Sequence, residues 1–197
     1  MMMKKKKFLF IFLSFLLSLI LIISILEIAV RIITSNGLNL DIEMLKYAKS
    51  LKVISENKNV GIEHKTNIKK KLMNVDIELN SQGFRNSIDI DHSKKKILML
   101  GDSITLGWGA QNTFSYNLEK LLNNNIQVLN AGIGNTNTYM QINNFFQNYS
   151  KYDFDMIVLN FFVNDFERII IKKSNLFVKN LYFISYFKAK ILKILIE

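Results

Sequence analysis

The chain contains no cysteine, so neither a disulfide framework nor a thiolate metal site is open to it. Histidine is almost as scarce. His64 and His92 are the only two and lie far apart in sequence, which argues against a zinc enzyme. No metal or organic cofactor is expected. A recognisable nucleic-acid motif is also missing, although the net charge is +10. Part of that charge is the run Lys4 to Lys7 beside an apolar segment, and another part is a late cluster mixed with aromatic and aliphatic residues, Lys172, Lys173, Lys179, Lys188, Lys190 and Lys193. Nucleic acid is therefore not an expected partner. With 197 residues and 49% hydrophobic content, the chain can build one domain with a real core plus an appendage.

Charge is absent from Phe8 to Leu26, where only Ser14, Ser18 and Ser24 interrupt the apolar run. At about 1.5 Å per residue this stretch nearly spans the ~30 Å hydrocarbon core of a bilayer. A buried helix of a soluble domain would carry a polar face, and this one has none. A cleavable signal peptide usually has a core of only ~7–15 apolar residues followed by a small-x-small site, and no clear site follows here. The segment is expected to be a retained signal anchor over residues 8–30. Residues 1–7 then form a cytoplasmic basic N-terminus, and the chain after Arg31 lies outside the cytoplasm as a single-pass cell-membrane protein.

Residues 31–94 are polar, rich in Asn, Lys and Ile, and read as a stalk and lead-in. Within them the alternating piece Val75 to Leu79 predicts a short strand ending in a glycine turn, Asn80-Ser81-Gln82-Gly83-Phe84-Arg85. His64 reads as a solvated linker residue. After Lys94-Lys95-Lys96 the character changes. Ile97 to Leu100 is a compact apolar run that stops at Gly101-Asp102-Ser103, a buried strand followed by a loop. A helix from Tyr116 to Asn124, a strand from Ile126 to Leu129, a helix from Tyr139 to Tyr149 and a strand from Met156 to Phe162 are predicted next. The alternation implies parallel strands joined by right-handed crossovers, hence a three-layer α/β/α sandwich over residues 95–197. Ligands bind such open sheets at the carboxyl ends of the strands, where all three polar clusters fall.

Ser103 lies in the first of these loops as a candidate nucleophile. Gly132 could bring a backbone N–H close to a substrate, and Asn164 offers an amide donor at the third strand end. Three donors around one oxyanion would suit acyl transfer, because they stabilise the charge that develops on the attacked carbonyl. Gly101-Asp102-Ser103, then Asn130-Ala131-Gly132, then Asn164-Asp165 resemble, in order and spacing, the first three blocks of the SGNH/GDSL hydrolases. The resemblance implies a flavodoxin-like sandwich, Ser103 as catalytic nucleophile and one oxyanion N–H donor, Gly132 as the second backbone donor, Asn164 as the side-chain donor, and Asp102 bracing the loop. The lead-in Asn80 to Arg85 and the paired Gly107 and Gly109 also look like a bacterial membrane-anchored subgroup. Rival motifs fit less well: no Lys-Ser/Thr follows Gly107 as in a P-loop, Gly132-Ile133-Gly134 lacks a third glycine, and Thr105 stands where an α/β-hydrolase elbow needs glycine.

The resemblance breaks at the general base, which the family supplies from a late Asp-x-x-His block. None follows Asp165. Asp89-Ile90-Asp91-His92 has the spacing but precedes the first strand of the sheet, so it reads as coincidence. The segment Leu176 to Ile196 reads as a helix that either covers the incomplete sheet or lies along an anionic membrane surface. The expected function is a serine esterase, O-acyl hydrolase or acyltransferase acting on extracytoplasmic acyl esters of envelope glycans or lipids, apparently truncated before its base. The alternative is a membrane-tethered binding module that keeps the oxyanion loop without the base.

Overall fold

The uncharged apolar run and its flanks fold as one long helix, α1 (Met2–Ile33), in the computed structural model, which describes residues 2–167, 169 and 180–196, with backbone alone at 2–5, 164 and 192–196. The stretch Lys6–Ile33 is long and apolar enough to cross a membrane, or to serve as a signal sequence, and lies near the N-terminus. Two of its three serines are satisfied within the helix: Ser18 Oγ donates to the Ser14 carbonyl at 2.9 Å and Ser24 Oγ to the Ile20 carbonyl at 2.8 Å. The described chain divides into two compact units, Met1–Leu45 with Ser174–Glu197, and Lys46–Lys173. Helix α2 (Leu40–Ser50) spans the boundary between them.

The second unit begins well before residue 95, where the sequence reading set its domain boundary. Two antiparallel hairpins follow α2: β1 (Lys52–Ile54) with β2 (Ile62–His64), and β3 (Ile68–Leu72) with β4 (Val75–Leu79). The second hairpin closes through Met73 and Asn74, both at positive φ (48° and 63°), the backbone of a two-residue turn matched to strand twist. The strand predicted at Val75 to Leu79 is present with those bounds, and its inward residues Val75, Ile77 and Leu79 pack with Tyr47, Leu51, Leu72 and Leu106. Residues 46–94, read from composition as stalk and lead-in, thus share a core with the loop that follows Ser103. Average composition could not reveal that the alternate residues Val75, Ile77 and Leu79 of β4 all enter this core.

The sheet has three parallel strands in the order β6–β5–β7, with β5 (Lys95–Leu100) between β6 (Ile126–Asn130) and β7 (Met156–Leu159). Two separate clusters flank it. Leu98, Leu100, Leu129 and Ala131 pack with Phe84 and Tyr149, whereas Ile97, Met99 and Val128 pack with Leu118 and Leu122. Alternate residues of β5 thus enter different clusters, as the two-residue side-chain period of a strand requires. Each fully buried side chain of this kind contributes roughly 1.5–3 kcal/mol.

The connecting elements depart from the predicted bounds for local reasons. Helix α3 (Ser103–Leu106) is a single turn after β5. Helix α4 (Phe114–Leu121) starts two residues early because Thr113 caps it, its hydroxyl accepting from the Tyr116 N–H, and ends before Asn123 and Asn124, which adopt positive φ. The predicted helix at Tyr139 to Tyr149 is α5 (Thr138–Asn144), capped by Asn137, running into a π-helical turn at Phe145–Tyr149. The last strand stops at Leu159 rather than Phe162. The Asn160 N–H still reaches the Leu100 carbonyl at 2.9 Å, and a 3₁₀ turn forms at Val163–Phe166. Helix α6 (Tyr182–Ile196) belongs to the first unit with α1, and the start of the helix predicted from Leu176 lies outside the described residues.

Candidate functional site at the carboxyl end of the sheet

Because β6 and β7 lie on opposite sides of β5, the strand order reverses at β5, and the crevice beyond its carboxyl end is where an open parallel sheet binds ligands. Ser103 lies there as the first residue of α3. Asp102 precedes it as the cap, its buried carboxylate accepting from the Ile104 N–H at 2.8 Å, so the nucleophile candidate opens a helix whose first N–H groups have no intrahelical acceptor. Ser103 itself is half-buried, and its hydroxyl has no hydrogen-bond partner among the described residues.

Helix α3 is held from two sides. On one, Gly132 presses against it: a Cβ at Gly132 would sit 2.2 Å from the Leu106 N and 2.7 Å from the Thr105 carbonyl carbon, so only glycine allows the loop after β6 to approach. Asn130, fully buried at the end of β6, ties the two loops. Its Nδ2 donates to the Thr105 carbonyl at 2.8 Å and to Ser115 Oγ at 3.0 Å, while its Oδ1 accepts from the Gly132 N–H at 3.0 Å. On the other side is Arg85, a buried guanidinium that donates to the carbonyls of Leu106 (2.7 Å), Gly107 (2.6 Å), Ala110 (2.8 Å) and Asp76 (3.4 Å). Burial lowers its pKa, yet an arginine stays charged at any physiological pH. The sequence singled out the turn ending at Arg85 without a role for it. Its planar fork is what gathers the carbonyls at the end of α3.

The N–H groups of residues 132–134, the expected Gly132 donor among them, are engaged within the protein. The Gly132 N–H is taken by Asn130 Oδ1, the Ile133 N–H by the Gly101 carbonyl at 3.0 Å, and the Gly134 N–H by Tyr47 Oη at 2.9 Å. The first N–H along this loop with no acceptor among the described residues is that of Asn135, which is exposed and sits at φ 61°. Gly132 is therefore what allows the close approach to α3, and the available N–H on this loop among the described residues is that of Asn135, which the sequence reading did not single out. A left-handed asparagine at the tip of a strand-end loop is the signal that would have found it.

Asn164 follows β7 in the 3₁₀ turn, and the amide expected of it lies outside the described side chains. Its neighbour Asp165 is buried and fixes that turn. Its Oδ2 accepts from the Phe162 N–H (3.1 Å) and Thr138 Oγ1 (3.2 Å), and its Oδ1 from Gln141 Nε2 (3.4 Å), which fastens the turn to α5.

Neither histidine serves Ser103 directly. His92 is exposed just before β5, at the opposite end of a six-residue strand that is ~20 Å long. His64, expected to be solvated, is instead buried within the lead-in. Its Nδ1 lies 3.0 Å from the Gly83 carbonyl and so must carry the proton, leaving Nε2 to accept from the Tyr47 hydroxyl at 2.7 Å. Tyr47 in turn accepts from the Gly134 N–H, so the chain Gly134, Tyr47, His64, Gly83 is satisfied at every step. Desolvation pushes the His64 pKa down from 6.5 to about 4, and nearby Lys52 adds to that. Desolvation likewise raises the Tyr47 hydroxyl well above its ordinary value and lowers Lys52 to about 8. Lys52 Nζ donates to the Gly134 carbonyl at 3.0 Å and sits 4.6 Å from the centre of the Tyr47 ring. This network holds the loop that presents Asn135. Among the described residues no three His, Asp or Glu side chains converge as metal ligands.

No model of a known protein family matches the chain, and no curated protein matches it. The functional reading therefore rests on these residues and their geometry.

Proposed function

We propose that the chain is a membrane-anchored serine hydrolase or acyltransferase of the SGNH/GDSL type, with its working domain on the outer side of a cell membrane. The observation that carries this reading is that three adjacent parallel strands each lead into one of the three polar blocks, with Ser103 at the strand where the order reverses. The two clusters on alternate residues of β5 support the finer reading of a three-layer, flavodoxin-like sandwich. Ser103 Oγ attacks an ester carbonyl and loses its proton to a base. The oxyanion is held by the Ser103 N–H at the start of α3, by the Asn135 N–H in place of that of Gly132, and by the Asn164 amide. The alcohol then leaves with the proton returned by that base, and water or another hydroxyl takes the acyl group as its own proton passes through the base to Ser103 Oγ. The run Lys4 to Lys7 supports a cytoplasmic N-terminus, and acyl esters of envelope glycans or lipids are the substrates such a location offers.

A second reading is favoured by one observation. His64 is engaged in a buried network and His92 lies exposed at the far end of β5, so the described residues supply Ser103 with no histidine base. The protein would then be a tethered module that binds acyl esters without cleaving them. A fluorophosphonate probe separates the two on full-length protein in detergent. Covalent labelling that disappears in Ser103→Ala is expected for the hydrolase. Absence of labelling in folded protein would overturn the hydrolase reading in favour of the binding module.

A further inference from the structure

Among the described residues, Glu27 and Arg31 of α1 hold the start of helix α6. Glu27 Oε2 accepts from the Phe183 N–H at 3.1 Å, capping the first turn of α6, while Arg31 bonds Glu27 at 2.7 Å and stacks 4.2 Å from the centre of the Tyr182 ring. Arg31 also reaches the Asn180 carbonyl at 3.5 Å. Counting ~1.5 Å per residue from Lys7, Glu27 lies about 30 Å along α1, which is the thickness of a bilayer's hydrocarbon core. If the basic N-terminus marks one face of the membrane, Glu27 and Arg31 mark the other, and α6 starts there.

From that point α6 does not run back along α1. A 15-residue helix is ~22 Å long, and packed along the span it would cover side chains well toward the N-terminal half. Those from Phe8 to Ile22 are all exposed, and the first partly covered residue is Ile23. The composition of α6 fits neither a second span nor a water-exposed helix. Tyr182, Phe183, Tyr186 and Phe187 crowd its first two turns, Lys188, Lys190 and Lys193 follow, and Phe187 and Ile191 are about half exposed (48% and 55%). Aromatic rings at the headgroup level and lysines reaching anionic phosphates are the pattern of a helix lying in a membrane interface.

The geometry points to α6 as an interfacial helix that binds the headgroup layer of an anionic leaflet, pinned to the far end of α1 by Glu27 and Arg31. This assignment goes beyond the chemistry at Ser103 and does not depend on it, but it does require α1 to cross the bilayer. The absence of cysteine makes the test direct. Single cysteines at Phe187 and Ile191, both exposed, take a nitroxide label in the full chain reconstituted into phosphatidylcholine vesicles with and without phosphatidylglycerol. Labels at Leu17, within the span, and Lys70, on an exposed strand, calibrate depth. With phosphatidylglycerol, the labels at 187 and 191 are expected ~5–10 Å below the headgroup boundary, shallower than Leu17. Adding Lys188→Glu and Lys190→Glu should move them toward water in those vesicles while the Leu17 label stays put. Readings at 187 and 191 as aqueous as that of Lys70, or as deep as that of Leu17, would overturn the proposal. So would a depth that ignores the charge reversal. A Leu17 label exposed to water would remove the span and the proposal together, whatever the probe labelling at Ser103 reports.

Discussion

A buried neutral histidine makes folding stability depend on pH in a window set by its two pKa values. His64 titrates near 6.5 when unfolded and near 4 when folded, so between those values the unfolded chain binds the extra proton. Stability is then complete above about pH 6.5 and falls as the pH drops toward 4. A difference of ~2.5 units corresponds to about 3 kcal/mol once the drop is complete, and about 2 kcal/mol of it is gone by pH 5. For a chain of this size, ~2 kcal/mol is a fall in Tm of about 4–8 °C. Lys52, the cation that faces the same network, adds no slope here, since even its lowered pKa of about 8 lies above the window. Exposed carboxylates do titrate near the lower edge, and for that reason the quantity to read is a difference between two proteins. His64→Asn keeps an amide donor for the Gly83 carbonyl but cannot titrate. Trp108, the single tryptophan, packs 5.1 Å from the Tyr47 ring and reports unfolding of this region by fluorescence in detergent micelles. Wild type should lose the stated stability between pH 7 and pH 4 relative to the variant, whatever constant offset separates them. Parallel profiles would refute the assignment of His64 as neutral and buried.

Three further outcomes follow from the hydrogen bonds and close contacts at the site. Asn130→Ala leaves the Gly132 N–H and the Thr105 carbonyl without a partner, at roughly 1–3 kcal/mol each, so a urea titration should show about 2–6 kcal/mol of lost stability. Arg85→Lys keeps the charge but cannot reach four carbonyls with one ammonium. It is expected to cost about 2–4 kcal/mol and to slow probe labelling at Ser103, and unchanged labelling kinetics would show that the fork does not hold the loop. Gly132→Ala drives a Cβ into the backbone of α3 and should abolish labelling, whereas Asn135→Gly relieves a positive φ, gains up to about 1 kcal/mol, and keeps labelling because the donor is a backbone N–H. Loss of labelling in Asn135→Gly would mean that the side chain matters instead.

The parallel core was legible in the sequence because a strand buried on both faces needs no partner to announce itself: Ile97 to Leu100 is apolar at every position, and the polar residues that end it mark the loop. Element ends were less legible, since caps such as Thr113 and Asn137 act one residue outside the apolar period that identifies a helix. The role of Gly132 was half legible. That a glycine was required could be read, but whether for its N–H or for its missing Cβ depends on a contact 26 residues upstream, at Leu106. His64 was misread for a similar reason. Its two partners, Tyr47 and the Gly83 carbonyl, lie 17 and 19 residues away, and no local pattern distinguishes such a histidine from a solvated one.

The lead-in accounts for more of the site than its composition suggested, and the outer edge of β6 shows how. A parallel edge strand exposes unpaired N–H and C=O groups, which invites pairing with another chain. Here the Val128 N–H donates to Glu119 Oε2 (2.8 Å), the Val128 carbonyl accepts from Asn86 Nδ2 (3.0 Å), the Asn130 N–H donates to Asn86 Oδ1 (2.9 Å), and the Asn130 carbonyl accepts from the Arg85 N–H (2.8 Å). The amide of Asn86 thus stands in for a strand. The same two residues that close this edge begin the path to α3: Arg85 continues through its side chain to the carbonyls at the end of that helix. Edge closure and placement of the Ser103 loop are thereby coupled through residues 85 and 86. A substitution at Asn86 should therefore loosen the Ser103 loop although Asn86 touches no part of it. Asn86→Ala is expected to orphan two β6 backbone groups, cost about 2–6 kcal/mol at roughly 1–3 kcal/mol each, and raise hydrogen exchange at residues 103–107 together with 128–130. Faster exchange confined to β6 would mean that the edge and the loop are independent.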